Sequence, residues 1–191
     1  MGGHTTMARV AVVGTTGSGK TRLARRLAEA LAAEYVELDA LFWGKNWIER
    51  PLEVFQQSAT AAAARDKWVI DGNYAAVRPA VWGRADTLVW LDYSFALVVY
   101  RLLRRTVHRI VTRQALFSGN RESFATAFMS RKSLFVWAWQ THWSRQERYP
   151  IEFAAPQYRH LKVVRLRSPR DAERFLTSVK TAASHDTRDR A

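Results

Sequence analysis

The run Arg9-Val10-Ala11-Val12-Val13 empties directly into Gly14-Thr15-Thr16-Gly17-Ser18-Gly19-Lys20-Thr21. Nothing else in the chain narrows the fold as much. An unbroken β-branched run is the pattern of a strand buried on both faces, which requires helices above and below a parallel sheet. The glycines then let the backbone turn sharply. Lys20 to Ala33 follows with Leu23, Leu27, Ala30 and Leu31 at helical spacing.

Strand, glycine-rich turn and helix therefore stand in the order that the pattern G-x-x-x-x-G-K-[ST] demands. Backbone N–H groups in such a turn point inward around an anion, and the helix N-terminus adds about half a positive charge. A phosphate fits there. Lys20 reaches the outer phosphates of a nucleotide, and the Thr21 hydroxyl is a ligand for Mg²⁺. Gly14, Thr15, Thr16, Gly17, Ser18, Gly19, Lys20 and Thr21 are the candidate nucleotide-binding residues.

The rest of the chain alternates. Strand patterns run over Tyr35 to Leu38, Trp68 to Ile70, Thr87 to Leu91 and Leu161 to Leu166. Helical patterns run from Pro51 to about Arg65 and from Phe95 to about Arg113, and a last helix starts at Ser168-Pro169-Arg170-Asp171. The expected fold is α/β: a mainly parallel five-stranded sheet with helices on both faces. One domain is expected over residues 8–180, with residues 1–7 and 181–191 as flexible ends. Residues 112–158 break the rhythm and read as a helical, lid-like insertion, with helices over Arg121 to Phe128 and Ser130 to Arg148.

Hydrophobic residues make up 48% of the 191, enough for a packed core, and there is no cysteine, which excludes disulfides and thiol chemistry. No apolar run approaches the roughly 20 residues of a membrane span. A soluble, cytoplasmic protein is the expectation. The five histidines show no metal-ligand spacing.

In an open parallel sheet, ligands bind beyond the carboxyl ends of the strands. Asp39, Asp71 and Asp92 stand at three of those ends, beside the glycine-rich loop. Phosphoryl transfer needs a carboxylate near Mg²⁺ and a base that orients the acceptor. Each aspartate also has a plain reading as a turn former or helix cap, and Asp92 fits that reading best.

The stretches GTTGSGKT, Leu38 to Trp43 (LDALFW), Trp68 to Tyr74 (WVIDGNY), Ala85-Asp86 with Leu91-Asp92, and Arg101 to Arg105 carry a resemblance. The chain resembles P-loop kinases of the nucleoside-monophosphate-kinase type. It is most similar to the bacterial adenylate-kinase-like P-loop proteins termed DNA topology modulation proteins. That resemblance implies ATP and Mg²⁺ as cofactors, Asp71 on the metal side, and Asp39 as the acceptor-side base. It makes Arg101 and Arg105 lid-edge arginines and places Arg167 near the adenine, although Ser168 and Pro169 are also accounted for by helix capping alone. Adenylate kinases carry D-G-F-P-R where this chain has Asp71-Gly72-Asn73-Tyr74. The missing proline and arginine favour a small hydroxyl compound or nucleoside over AMP as acceptor, with Arg78 and Arg84 as the nearest substitutes.

The net charge of +13 suits polyanionic partners. Arg101, Arg104, Arg105, His108, Arg109 and Arg113 fall on one side of a helix. They read as phosphate ligands at the Arg101 end and as a solvated basic face further on. Arg121 and Arg131 are the candidates within the lid. Phe135, Trp139, His142 and Trp143 read as a packing stripe, and Phe42, Trp43 and Trp47 as core or as a stacking surface beside Asp39. The leading expectation is an ATP-dependent kinase that binds a nucleotide and a small-molecule acceptor. The alternative is a nucleotide-gated ATPase whose basic surface binds nucleic acid.

Overall fold

The computed structural model describes residues 7–112, 118 and 134–188, the side chains of 134–138 and 185–188 excepted. Strands β1 (Arg9–Gly14), β2 (Glu34–Glu37), β3 (Trp68–Asp71), β4 (Thr87–Leu91) and β5 (Lys162–Leu166) form one sheet in the order β2-β3-β1-β4-β5. Every neighbouring pair is parallel. The helices among the described residues are α1 (Lys20–Leu31), α2 (Leu38–Phe42), α3 (Leu52–Ala63), α4 (Arg78–Trp82), α5 (Phe95–Val111), α6 (Leu134–Phe153) and α7 (Pro169–Arg188).

β1 lies at the centre, and its alternation feeds two cores. Val10 and Val12 pack with Leu23 and Leu27 of α1, Val98 of α5 and Leu176 of α7. Ala11 and Val13 pack with Phe55 of α3, Trp82 of α4 and Tyr149 and Phe153 of α6. Each fully buried valine contributes about 1.5–3 kcal/mol, which explains why this strand has no polar face. On the second side, Tyr149 stacks edge-on against Trp90 at 5.6 Å and lies 5.2 Å from Phe153, docking α6 on the sheet.

Several boundaries differ from the sequence expectation. α1 stops at Leu31, because Ala32 adopts a left-handed φ of 48° and the Ala33 N–H closes the helix on the Ala28 carbonyl at 2.9 Å. Leu38 opens α2 instead of ending β2. α2 and α4 were not anticipated: at five residues each they are too short to show a period. α6 continues beyond Arg148 to Phe153, with Pro150 in its final turn. The polar stretch from Thr181, expected to fray, continues α7 to Arg188. There Thr181 Oγ1 and Ser184 Oγ donate to the carbonyls of Thr177 and Lys180 at 3.1 and 2.9 Å. The helix expected over 121–128, together with Arg113, Arg121 and Arg131, lies outside the described residues, as does the Phe135 side chain. Among the described residues, no helix is long and apolar enough to cross a membrane.

Because all strands run the same way, Gly14, Glu37, Asp71 and Leu91 end at one edge of the sheet. The candidate site is built on that edge.

Candidate active site

The glycine-rich loop holds a conformation that only its glycines permit. Gly17 and Gly19 have φ of 85° and 96°. A Cβ on Gly17 would stand 2.9 Å from the Val98 carbonyl oxygen. α1 then begins at Lys20 with neither an acidic residue in its first turn nor a side-chain cap, so its N–H groups face the loop unanswered. Asn73, just past β3, latches the loop from behind. Its Nδ2 donates to the Gly14 carbonyl at 2.6 Å, and its Oδ1 accepts the Gly14 N–H at 3.1 Å.

Thr21 faces two carboxylates. Its hydroxyl lies 2.9 Å from Asp71 Oδ2 and 3.2 Å from Glu37 Oε1, and its single proton serves one at a time. Tyr35 donates to Asp71 Oδ1 at 3.1 Å. Burial, then the neighbouring Glu37 charge, pushes the Asp71 carboxyl up to about 7, against the opposing pull of Lys20 and the two hydroxyls. A hydroxyl flanked by two carboxylates is a hard-oxygen donor set. It suits Mg²⁺, which takes one or two carboxylates and fills its remaining positions with phosphate and water.

Cations converge opposite. Lys20 Nζ donates to the Thr15 carbonyl at 3.3 Å, folded back over the loop. Burial, then Arg145, lowers its pKa to about 8, while Asp39 and Asp71 pull the other way. Arg105 adds a smaller depression. Arg101 donates from Nη1 to the Ser18 carbonyl at 3.0 Å and lies over the Tyr93 ring at 5.3 Å. The arginine face of α5 is therefore divided. Arg101 and Arg105 are partly buried, whereas Arg104 and His108 are exposed.

One side of α6 addresses the loop. The His142 ring approaches Thr15 Oγ1 at 3.4 Å, and Tyr149 donates to Asn73 Oδ1 at 3.1 Å. Between them stands Arg145, whose Nη1 is buried with no hydrogen-bond partner and whose charge acts on Lys20. Burial, helped by the Arg145 charge and opposed by Asp92, lowers the pKa of His142 below the usual imidazole range. The packing stripe expected here is only partly packed: His142 is buried, but Trp139 and Trp143 are exposed.

Asp39 stands in the first turn of α2, near enough for its charge to act on Lys20. Tyr74 donates to its Oδ1 at 2.6 Å and is itself held by Phe42 and Phe55, with ring centroids at 4.7 and 5.0 Å. Phe42 thus belongs to the core, while Trp43 and Trp47 stack edge-on at 5.7 Å and stay half-buried. Gly72 permits this arrangement: a Cβ there would meet Leu38 Cβ at 2.7 Å and displace α2.

Three candidates turn out to have structural partners. Asp92 accepts from Arg165 Nε and Nη2 at 2.8 and 2.6 Å and from Gln146 Nε2 at 2.9 Å. Arg84 donates to the Ala63 and Ala64 carbonyls at 2.7 and 3.1 Å, closing the end of α3. Arg78 pairs with Glu152 at 2.7 Å and lies over Trp82. Arg167 is exposed, with its backbone N–H on Asp171 at 3.2 Å, while the Asp171 N–H caps onto Ser168 Oγ at 3.2 Å. Asp92→Ala is expected to cost about 2 kcal/mol by stranding two donors, one of them an arginine that still reaches water. Thermal unfolding checks this, with nucleotide affinity staying within about twofold of wild type.

Sequence reasoning did not single out Glu37 or Arg145, and it quoted Asn73 and Tyr74 without assigning either a role. The one available signal was the spacing of His142, Arg145 and Tyr149, at i, i+3 and i+7 on one helix face.

A central parallel strand, a glycine-rich loop opening a helix, and carboxylates at the neighbouring strand ends define the fold of the P-loop kinases. No family model matches the chain. It is 29% identical to the shikimate kinase of Synechococcus elongatus over 138 residues, 61% of this chain and 72% of that one. Among solved structures, it is similar to a shikimate kinase from Acinetobacter baumannii in complex with shikimate, with a TM-score of 0.52, 15% identity and 94% of each chain covered. It is also similar to a sugar kinase from Janibacter sp., with a TM-score of 0.50, 20% identity, and 93% of this chain and 98% of that one covered.

Proposed function

We propose that this chain is an ATP-dependent phosphotransferase whose acceptor is a small hydroxyl compound. The carrying observation is that the two carboxylates whose charge reaches Lys20 have different partners: Asp71 accepts from the Thr21 hydroxyl, whereas Asp39 accepts from Tyr74. One carboxylate is available to a metal and the other to an acceptor. The shikimate and sugar kinases similar to this chain support that class of acceptor.

The loop N–H groups and the start of α1 cradle the nucleotide phosphates. Lys20, Arg101, Arg105 and Arg145 meet the charge that gathers on the transferring group. Thr21, Asp71 and Glu37 would hold Mg²⁺, which supplies charge neutralisation for the phosphate oxygens when bound. Asp39 accepts the proton of the acceptor hydroxyl as its oxygen bonds to phosphorus and ADP departs. Tyr74 keeps that carboxylate aimed, and Arg167 contacts the base.

The test is transfer of labelled γ-phosphate from Mg-ATP to shikimate, aldonic acids, hexoses and nucleosides, with Asp39→Asn beside wild type. Label in one acceptor, reduced about 10²–10⁴-fold in the variant, is expected for loss of a general base. Label appearing only as inorganic phosphate, at equal rates in both proteins, would remove the acceptor role of Asp39.

A further inference from the structure

α5 sorts its side chains into three sectors. Val98, Leu102 and Thr106 are buried. Arg101 turns to the phosphate loop. The sector away from both carries Tyr100, Leu103, Val107 and Val111, exposed by 60, 43, 47 and 77%. At 100° per residue these four fall within about 80° of the helix circumference. Aligned exposure of this kind marks an interaction surface.

Charge selects the occupant. The stripe is bordered by exposed Arg104 and His108, and α5 contains no acidic residue. A second copy pairing through α5 would bring cation against cation. A nucleic acid would answer the arginines but leave the aliphatic stripe in water. An anionic lipid surface answers both: headgroup phosphates take the arginines, the acyl boundary takes leucine and valine, and tyrosine favours the interfacial layer between. The net charge of +13 adds long-range attraction to such a surface.

We propose that the outer face of α5 docks the protein peripherally on anionic lipid. The test is co-sedimentation of the full chain with vesicles of phosphatidylcholine alone and of phosphatidylcholine with phosphatidylglycerol, roughly two to one. Binding to the mixed vesicles alone is expected, weakening as salt rises. The double variant Leu103→Asp/Val107→Asp is expected to lower the partition coefficient at least about tenfold, and Arg104→Ser to lower it about fivefold. Unchanged circular dichroism and thermal unfolding of the variants separate loss of docking from loss of fold. Failure to sediment with either vesicle, or equal partition of the double variant, overturns the proposal. So does a dimer in ultracentrifugation that the double variant dissolves, which assigns the face to a second copy. Duplex DNA binding that the double variant loses likewise reassigns it to nucleic acid.

Discussion

Lys20→Ala is expected to weaken Mg-ATP binding about ten- to a hundredfold, the range for a lost charge-assisted hydrogen bond. It is expected to slow transfer a further ~10²–10³-fold, because the same ammonium stabilises charge that grows in the transition state. The pH profile is a sharper check. Burial and Arg145 hold the Lys20 pKa at about 8 instead of the usual 10.5. Below about 8 the ammonium is already charged, and nucleotide affinity is flat. Above about 8 the free protein must take up a proton to bind phosphate, so affinity falls by up to tenfold per pH unit until the complex itself deprotonates. The same shift acts on folding with the opposite slope. Between about 8 and about 10.5 the unfolded chain keeps the lysine proton that the folded protein has lost, so unfolding free energy rises with pH. Lys20→Ala removes both slopes. Isothermal calorimetry and chemical denaturation from pH 7 to 10.5 read them directly. A wild-type affinity that stays flat to pH 10 would show that the ammonium is not buried in solution.

Asp71→Asn is expected to abolish Mg²⁺-dependent transfer and at the same time stabilise the fold. The Asp71 carboxyl is buried beside Glu37 and titrates at about 7, against 3.8 in an unfolded chain. Between those values the folded protein holds a proton that the unfolded chain gives up. Stability therefore falls as pH rises from about 4 to about 7, and stays lower above. Asparagine never ionises; its one side-chain oxygen accepts from Thr21 or Tyr35, and its NH2 group donates to the other hydroxyl, which turns to accept. The expected gain is about 2–4 kcal/mol above pH 7 and close to nothing at pH 4. Melting temperatures of both proteins across that range test it, together with Mg²⁺ titration of the ADP complex. Parallel melting curves at every pH would mean that the carboxyl ionises normally. A stabilising loss of function is what a site built from crowded like charges predicts, since the crowding is relieved only by ligand.

The site is crowded because groups from distant parts of the chain share one edge of the sheet. That distance also explains what the sequence could and could not reveal. β1, the loop and the start of α1 were legible because their constraints are local: a buried strand needs β-branched residues, and a sharp turn needs glycines. The parallel sheet followed from alternation alone, and with it the position of Asp71 at the end of β3, whereas Asp39 falls past β2 in the first turn of α2. The end of α1 was not legible, since the left-handed position is filled by Ala32 where glycine gives the usual signal.

Partner choice was out of reach for the same physical reason. Glu37 reads as an ordinary edge-strand charge until Thr21 is seen between it and Asp71. Helical spacing placed Arg101, Arg104 and Arg105 together, but only docking on the loop separated the two partly buried arginines from exposed Arg104. Asp92 follows β4 much as Asp71 closes β3, yet Arg165 and Gln146 engage it. By itself the sequence determined the sheet, the loop and the edge that carries the candidate site, because those follow from backbone preference and local burial. Only the tertiary structure decided which charges face one another, because desolvation and Coulomb energy depend on distances between residues far apart in the chain.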